Sequence, residues 1–400
     1  MESLPQPLRQ DFTRLPMLNS VLNYLFSSDP GILNYVAFLI TSMAIYSILG
    51  LGLNLQWGVT GLINFGIAGF VAVGAYATVV ASLSSVPLPI AMVFGGVVAA
   101  IFGLGLGFTT LRLREDYLAI VTIGAAELVR LVVNNESFVN GRSGALGING
   151  FPLPLENFRP DIVTRYGMAI GVTIAFGLVL TKLWQWTRRR LAAAGKTQKL
   201  GITAVGVICG LLILRAYGVT ASSVLTFKDN QVINGLLVSS ILVASIVFIG
   251  VELLVKSPWG RVLKAIREDE DVAKALGKNV FWYKLQALMI GGFLTGIGGA
   301  FYAWQQSNVY PDNFKSDLTF NVWILMVLGG AGSNPGVVVG AVVFWVYTAV
   351  TRDLGKVLPM IPSAQIDAFR MVIIGLLLIG LMVWRPQGLL GDRDELTLGK

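Results

Sequence analysis

Apolar residues in this chain come in long runs, not in the alternation of an amphipathic strand or the narrow stripe of a surface helix. Runs near the twenty or so residues that cross a bilayer recur at 33 to 56, 60 to 83, 88 to 111, 117 to 133, 166 to 185, 201 to 217, 232 to 255, 285 to 304, 320 to 332, 335 to 350 and 369 to 384. The pattern predicts an all-α fold: a polytopic transmembrane helical bundle of about 10-11 spans. Two places interrupt it. The second run holds Thr60, Asn64, Gly66, Gly69, Gly74 and Thr78, and the runs at 320 to 350 are split by Gly-Gly-Ala-Gly-Ser-Asn-Pro at 329 to 335. Both read as broken or re-entrant helices, which a membrane tolerates where they line a cavity.

Composition agrees with the pattern. Hydrophobic residues are 54% of the 400 and charged residues only 13%, about half the charged share of a soluble protein, and the mean hydropathy is +0.71. Histidine is absent and Cys209 is the single cysteine. An intrachain disulfide, a Cys/His zinc site and any imidazole relay are therefore excluded, and no metal or other cofactor is expected. The net charge of +8 does not indicate nucleic acid, because the basic residues sit at the ends of apolar runs without interleaved aromatic residues. They read as topology signals. One alternate set of loops carries Arg112 and Arg114, then six Lys and Arg between 182 and 199, seven between 256 and 284, and Arg385, Arg393 and Lys400. This set is expected in the cytoplasm, with the C-terminus. The first thirty residues, with Pro5, Pro7 and Pro16, do not read as a cleavable signal peptide.

Glycine pairs four apart, at 103 and 107, 206 and 210, 292 and 296, and 336 and 340, are expected to serve close helix packing. Arg190-Leu-Ala-Ala-Ala-Gly195-Lys196-Thr197 ends like a phosphate-binding loop, but Arg190 stands where the first glycine is required and no strand precedes it. It is expected to be a basic turn between helices. Polar groups inside the spans stand out because charge in a membrane is costly. Glu127 and Arg130, three apart on one helical face, are a candidate internal ion pair, and Glu127 is also a candidate for the translocation path. Asn54, Gln56 and Asn64 flank the interrupted second span and suit either a path lining or helix caps. The outer loop from Asn134 to Gly150 suits contact with an external protein or a plain solvated turn.

The longest basic loop, 256 to 284, contains Lys256-Ser-Pro-Trp-Gly-Arg-Val-Leu-Lys-Ala-Ile-Arg-Glu-Asp-Glu-Asp-Val-Ala-Lys-Ala-Leu-Gly277. Locally it predicts a short helix. Asp269 suits the N-cap, Glu270 and Asp271 the first turn, Lys274 the last turn and Gly277 a left-handed stop. Such a helix is marginal alone and needs packing or a docked partner. Ala273 and Leu276 offer an apolar face for that partner, with Glu268 and Glu270 at its rim.

The segment resembles the cytoplasmic motif of LivM-type permeases, the branched-chain amino-acid subunits of ABC importers, in the pattern S-P-x-G-R-x-x-x-A-I-R-E-D-E-x-A-A-x-x-L-G. Ser257, Pro258, Gly260, Arg261, Ala265, Ile266, Arg267, Glu268, Asp269, Glu270, Ala273, Leu276 and Gly277 match it, with Val272 in place of one alanine. Segments 49 to 66, 111 to 122, 327 to 333 and 384 to 389 are similar to the same family, so the resemblance runs in order from about 35 to 390. It implies a non-catalytic permease subunit in the bacterial plasma (inner) membrane, importing branched-chain or other neutral amino acids. The implied partners are a homologous second permease subunit, two ABC ATPase subunits and an extracytoplasmic substrate-binding protein, with membrane lipid around them. Residues 268 to 277, with Glu268, Asp269, Glu270, Ala273, Leu276 and Gly277, become the expected ATPase-coupling segment.

In this reading 1-30 is an N-terminal segment, 31-390 the permease domain and 391-400 a tail. Two departures from the family's pattern stand out. Residues 166 to 255 hold three spans where about one is usual, so 166-220 reads as an inserted hairpin. Ile67 stands where a histidine or another polar residue is common. The alternatives to this importer reading are a stand-alone ion-coupled secondary transporter and the same permease type carrying urea.

Overall fold

The computed structural model describes residues 30–111, 115–135, 137–139, 142–143, 147–156, 160–193, 196–225 and 231–357, with short pieces between 369 and 390. Helix α1 (Pro30–Leu53) continues into a six-residue π-helical turn, Asn54–Val59. Residues 61 to 66 then leave helical geometry before α2 (Ile67–Leu83), and α3 (Leu88–Thr110) and α4 (Glu115–Asn135) follow. Short strands β1 (Ser137–Val139), β2 (Arg142–Ser143) and β3 (Ile148–Asn149) lie in the next loop. Helices α5 (Ile162–Ala193), α6 (Lys196–Leu225) and α7 (Gln231–Lys256) lead to two short ones, α8 (Pro258–Glu268) and α9 (Glu270–Ala275). The long α10 (Val280–Gln306), β4 (Asn308–Val309), a 3₁₀ turn (Pro311–Phe314), α11 (Ser316–Gly329) and α12 (Asn334–Val357) complete the described order.

The chain is a multi-pass helical membrane protein. Among the described residues six helical stretches are long and apolar enough to cross a membrane: Gly31–Val59, Leu88–Thr110, Tyr117–Asn135, Val232–Lys256, Val280–Gln306 and Asn334–Arg352. Shorter apolar helices lie at Ile67–Leu83, Ile162–Ile174 and Ile213–Leu225. The run expected at 369 to 384 is described only in pieces, and the segments 1 to 29 and 391 to 400 lie outside the described residues.

The described residues divide into two compact units. The larger comprises those of 41–154 and 240–351, with the pieces beyond 362. Its centre is α10, which packs along α3 and α2. Small residues make this possible. A Cβ added at Gly74 of α2 would lie 2.4 Å from both Cα and the carbonyl oxygen of Gly296 in α10, so the two backbones nearly touch there. Of the four glycine pairs, those of α3, α10 and α12 sit in such contacts; Gly340, for one, approaches the Leu325 carbonyl. A Cβ at Gly210 would meet nothing within 4 Å. In the loop after α4, β3 pairs antiparallel with β4, Ile148 opposite Val309 and Asn149 opposite Asn308.

The smaller unit, from the described residues of 30–40, 155–239 and 352–357, contains the α5–α6 hairpin. Thr173 and the Tyr217 hydroxyl are 3.0 Å apart across it, and the Arg165 guanidinium donates to the Leu225 carbonyl at 3.3 Å. At 32 residues α5 is about 48 Å long. The basic stretch lies where α5 ends and α6 begins, with Arg190 in α5 and Lys196 and Thr197 opening α6, while Gly195 lies outside the described residues. A helix, not a strand, precedes the Gly-Lys-Thr sequence, which rules out the phosphate-loop geometry.

Candidate functional site

The basic loop between α7 and α10 folds as two helices. Ser257 caps α8, its side chain accepting from the Gly260 amide, and Pro258 takes the first helical position, where a missing N–H costs nothing. Leu263 and Ile266 turn inward, and Leu263 joins a core that includes Leu55, Val59, Phe70, Ala99 and Leu288. The short helix α9 follows with the expected caps. Asp269 is extended, at φ −153°, and its carboxylate accepts from the amides of Asp271 at 2.9 Å and Val272 at 3.0 Å. Gly277 stops the helix at φ +77°, with the Lys278 amide reaching back to the Ala273 carbonyl at 3.1 Å.

The faces of α9 differ from the expectation. Ala273, expected beside Leu276 on the docking face, is 3% exposed and packs with Ile266 and Val280. Leu276 at 74% and Val272 at 55% form the outward apolar pair instead. The reason is helical phase: the Asp269 cap orients α9 so that the small alanine is the residue that fits against α8 and α10. Glu270 also turns inward. Its carboxylate lies 2.5 Å from Nζ of Lys284, a buried lysine of α10, and 2.8 Å from Nζ of Lys274. Burial pushes the Glu270 carboxyl up, but the hydrogen bonds from Lys274 and Lys284 outweigh it and hold the group below its ordinary value. Glu268 is exposed.

Asn54, Gln56 and Asn64 are fully buried, and the structure brings all three to the helix breaks. Asn54 opens the π-helical turn. Its Nδ2 donates to Asn334 Oδ1 at 2.9 Å, and its Oδ1 accepts from the Gly332 amide at 2.8 Å, joining the first break to the second. Asn334 in turn donates to Glu252 of α7 at 2.8 Å, and Glu252 pairs with Lys256 at 2.7 Å. Gln56 donates to the Leu288 carbonyl at 3.2 Å and accepts from Asn64 at 2.8 Å, while Asn64 Oδ1 accepts from the Gly66 amide at 2.7 Å. These amides tie the two breaks to each other and to α10. Thr122 and Thr319 accept the Phe65 and Ala68 amides, and Trp323 donates to the Asn64 carbonyl while stacking on Phe65. These three, with Glu252, Asn334 and Lys284, are contacts that pattern reading does not reach, because their partners lie beyond the span of a local motif.

Glu127 and Arg130 do pair, at 2.5 Å. The pair is not inside this chain's packing, since the side chains are 47% and 22% exposed, and Arg130 also reaches Asp312 at 3.3 Å. The α4 surface around it is apolar and exposed at Ile120, Leu128 and Val132. Packing on α2 through Gly66 and Gly69, which approach Thr122 and Ala126, turns this face of α4 outward.

The family described as branched-chain amino acid transport system, permease component, matches residues 35–382. The chain belongs to this family. It is a permease component, non-catalytic itself, with ATP hydrolysis residing in partner ATPase subunits. The chain is similar to the high-affinity branched-chain amino acid transport system permease protein LivM of Escherichia coli, with 32% identity over 367 residues, covering 90% of this chain and 71% of the relative. It is also similar to a probable branched-chain amino acid transport permease protein LivM of Methanocaldococcus jannaschii, at 24% over 381 residues, covering 91% and 96%. A guanosine ABC transporter permease protein, NupQ of Bacillus subtilis, is 28% identical over 123 residues, covering 30% of this chain and 38% of its own length. No solved structure matches the chain.

Proposed function

We propose that this permease works in the plasma (inner) membrane, C-terminus in the cytoplasm, as one of two homologous membrane subunits of an ATP-driven importer of branched-chain amino acids. Two ATPase subunits dock from the cytoplasm, and a substrate-binding protein delivers cargo from outside. The observation that carries the reading is α9: a six-residue helix, capped at both ends, anchored on α10 by Glu270 and presenting Val272 and Leu276 outward. A stand-alone carrier has no use for such an element. The half-exposed Glu127–Arg130 pair on an apolar membrane face supports a second permease subunit there, because charge turned to lipid is costly. The translocation path opens at the two helix breaks, where Asn54, Gln56 and Asn64 hold the present state closed.

The test is reconstitution with candidate ATPases and binding protein, with uptake of labelled leucine, isoleucine and valine measured against guanosine and urea competitors. ATP-dependent uptake of the amino acids is expected, competed by neither. Leu276→Ser is expected to reduce ATPase co-purification about tenfold or more, as for loss of an exposed apolar anchor at an interface, at unchanged membrane abundance. Uptake by the permease alone, driven by an ion gradient, would defeat the reading.

A further inference from the structure

Two residues before the Asp269 cap, a side chain makes a contact that docking does not require. Arg267, near the end of α8, donates from Nη1 to the carbonyl oxygen of Gly58, in the π-helical turn 209 residues earlier. That carbonyl is available because of the helix break. The Thr60 and Gly61 amides both turn back to Trp57, and the Leu62 amide to Gln56, so all three pass over Gly58. Gly61 makes room for the arginine stem: at φ +82° it has no side chain, and a Cβ there would stand 3.2 Å from Arg267 Cγ. Arg261, on the same helix, turns instead to the Lys256 carbonyl.

Gly58 itself abuts the junction of the two breaks. A Cβ on it would lie 2.1 Å from Asn54 Oδ1 and 2.5 Å from the Gly332 amide nitrogen. A continuous chain of contacts therefore runs from Arg267 by a hydrogen bond to the Gly58 backbone, by close packing to Asn54, and by hydrogen bonds to Gly332 and Asn334 and on to Glu252 of α7. We infer that Arg267 is the positioning residue through which displacement of the α8–α9 segment reaches both helix breaks. Closely packed elements move in discrete steps, not by continuous bending, and a guanidinium held on a backbone carbonyl transmits pull as well as push. Apolar contacts such as Leu263 resist only compression. The inference rests on α9 being the segment that docks the ATPases.

The experiment compares Arg267→Ala and Arg267→Lys with the unmodified permease in the full complex, reconstituted in proteoliposomes. ATPase co-purification, basal ATP hydrolysis and amino acid taken up per ATP hydrolysed are measured in each. Recruitment and basal hydrolysis are expected to stay unchanged. Uptake per ATP is expected to fall about tenfold or more in Arg267→Ala, the scale of losing one charge-assisted hydrogen bond. Arg267→Lys, which keeps a donor on a shorter reach, is expected to fall between the two. A purely structural role would lower folded yield and all activities together, and that outcome, or an unchanged ratio in both variants, overturns the inference. Loss of recruitment in proportion to uptake also overturns it, making Arg267 a docking residue. Failure of the unmodified chain to recruit ATPases would instead refute the importer reading itself.

Discussion

Replacing Glu270 by glutamine isolates what holds α9 on the membrane helices. Glutamine keeps the shape and one acceptor but removes the charge, leaving the Lys284 ammonium, 7% exposed, without the carboxylate now 2.5 Å away. Breaking a fully buried pair by removing one partner costs about 3 to 5 kcal/mol. Glu270 is 35% exposed, so solvent screens part of the loss, and about 1 to 2 kcal/mol is the expected scale. That is small for the whole protein and large for a six-residue helix with almost no stability of its own. The docked population of α9 relative to detached forms is expected to drop about tenfold. Hydrogen exchange of the amides from 270 to 278 in the solubilised protein reads it directly. Lys284→Met combined with Glu270→Gln removes the buried lysine charge as well, so the double variant is expected to protect α9 better than Glu270→Gln alone. Unchanged protection in the single variant, or a double variant worse than the single, would refute the reasoning. The pH dependence has a definite sign. Because the folded carboxyl lies below its ordinary value, its contribution is fully present above the unfolded value and is lost as pH falls through the lower folded one. Protection of α9 is therefore expected to be flat from about pH 6 to 8 and to fall only in strong acid.

Gly74→Val is expected to force α2 and α10 apart, since the new Cβ would lie 2.4 Å from the Gly296 backbone; overpacking of this kind costs about 1 to 3 kcal/mol. Gly105→Ala, with nothing within 4 Å, is the matched control; thermal unfolding in one detergent should separate the two, and equal melting temperatures would contradict the packing. Ser143→Cys and Thr197→Cys, each in a Cys209→Ser background, are expected to label from opposite sides of the membrane, as the loop charges require. Labelling of both from outside would reverse the orientation.

Local chemistry made much of this protein legible from its residues. The apolar runs dictated membrane helices, because an unpaired backbone cannot face lipid. The caps of α9 at Asp269 and Gly277 were readable because capping depends on bonds spanning only a few residues. Helix α8 was legible in principle, with Ser257 and Pro258 at its start and Val262, Leu263 and Ile266 at helical spacing, but high charge density made it resemble a loop.

Tertiary structure alone decided which face each residue presents and whom it meets. The sequence marked Ala273 and Leu276 as one apolar face, and packing on α8 and α10 divided them, because only the smaller side chain fits inside. It marked Asn54 as polar and intramembrane, but whether such a group lines a path or fastens a break depends on what lies opposite. Here that is Gly332 and Asn334, about 280 residues away along the chain. Bonds of that range leave no periodicity or spacing in a single sequence. They arise because a buried polar group left without a partner costs free energy, and the fold determines which partner is within reach.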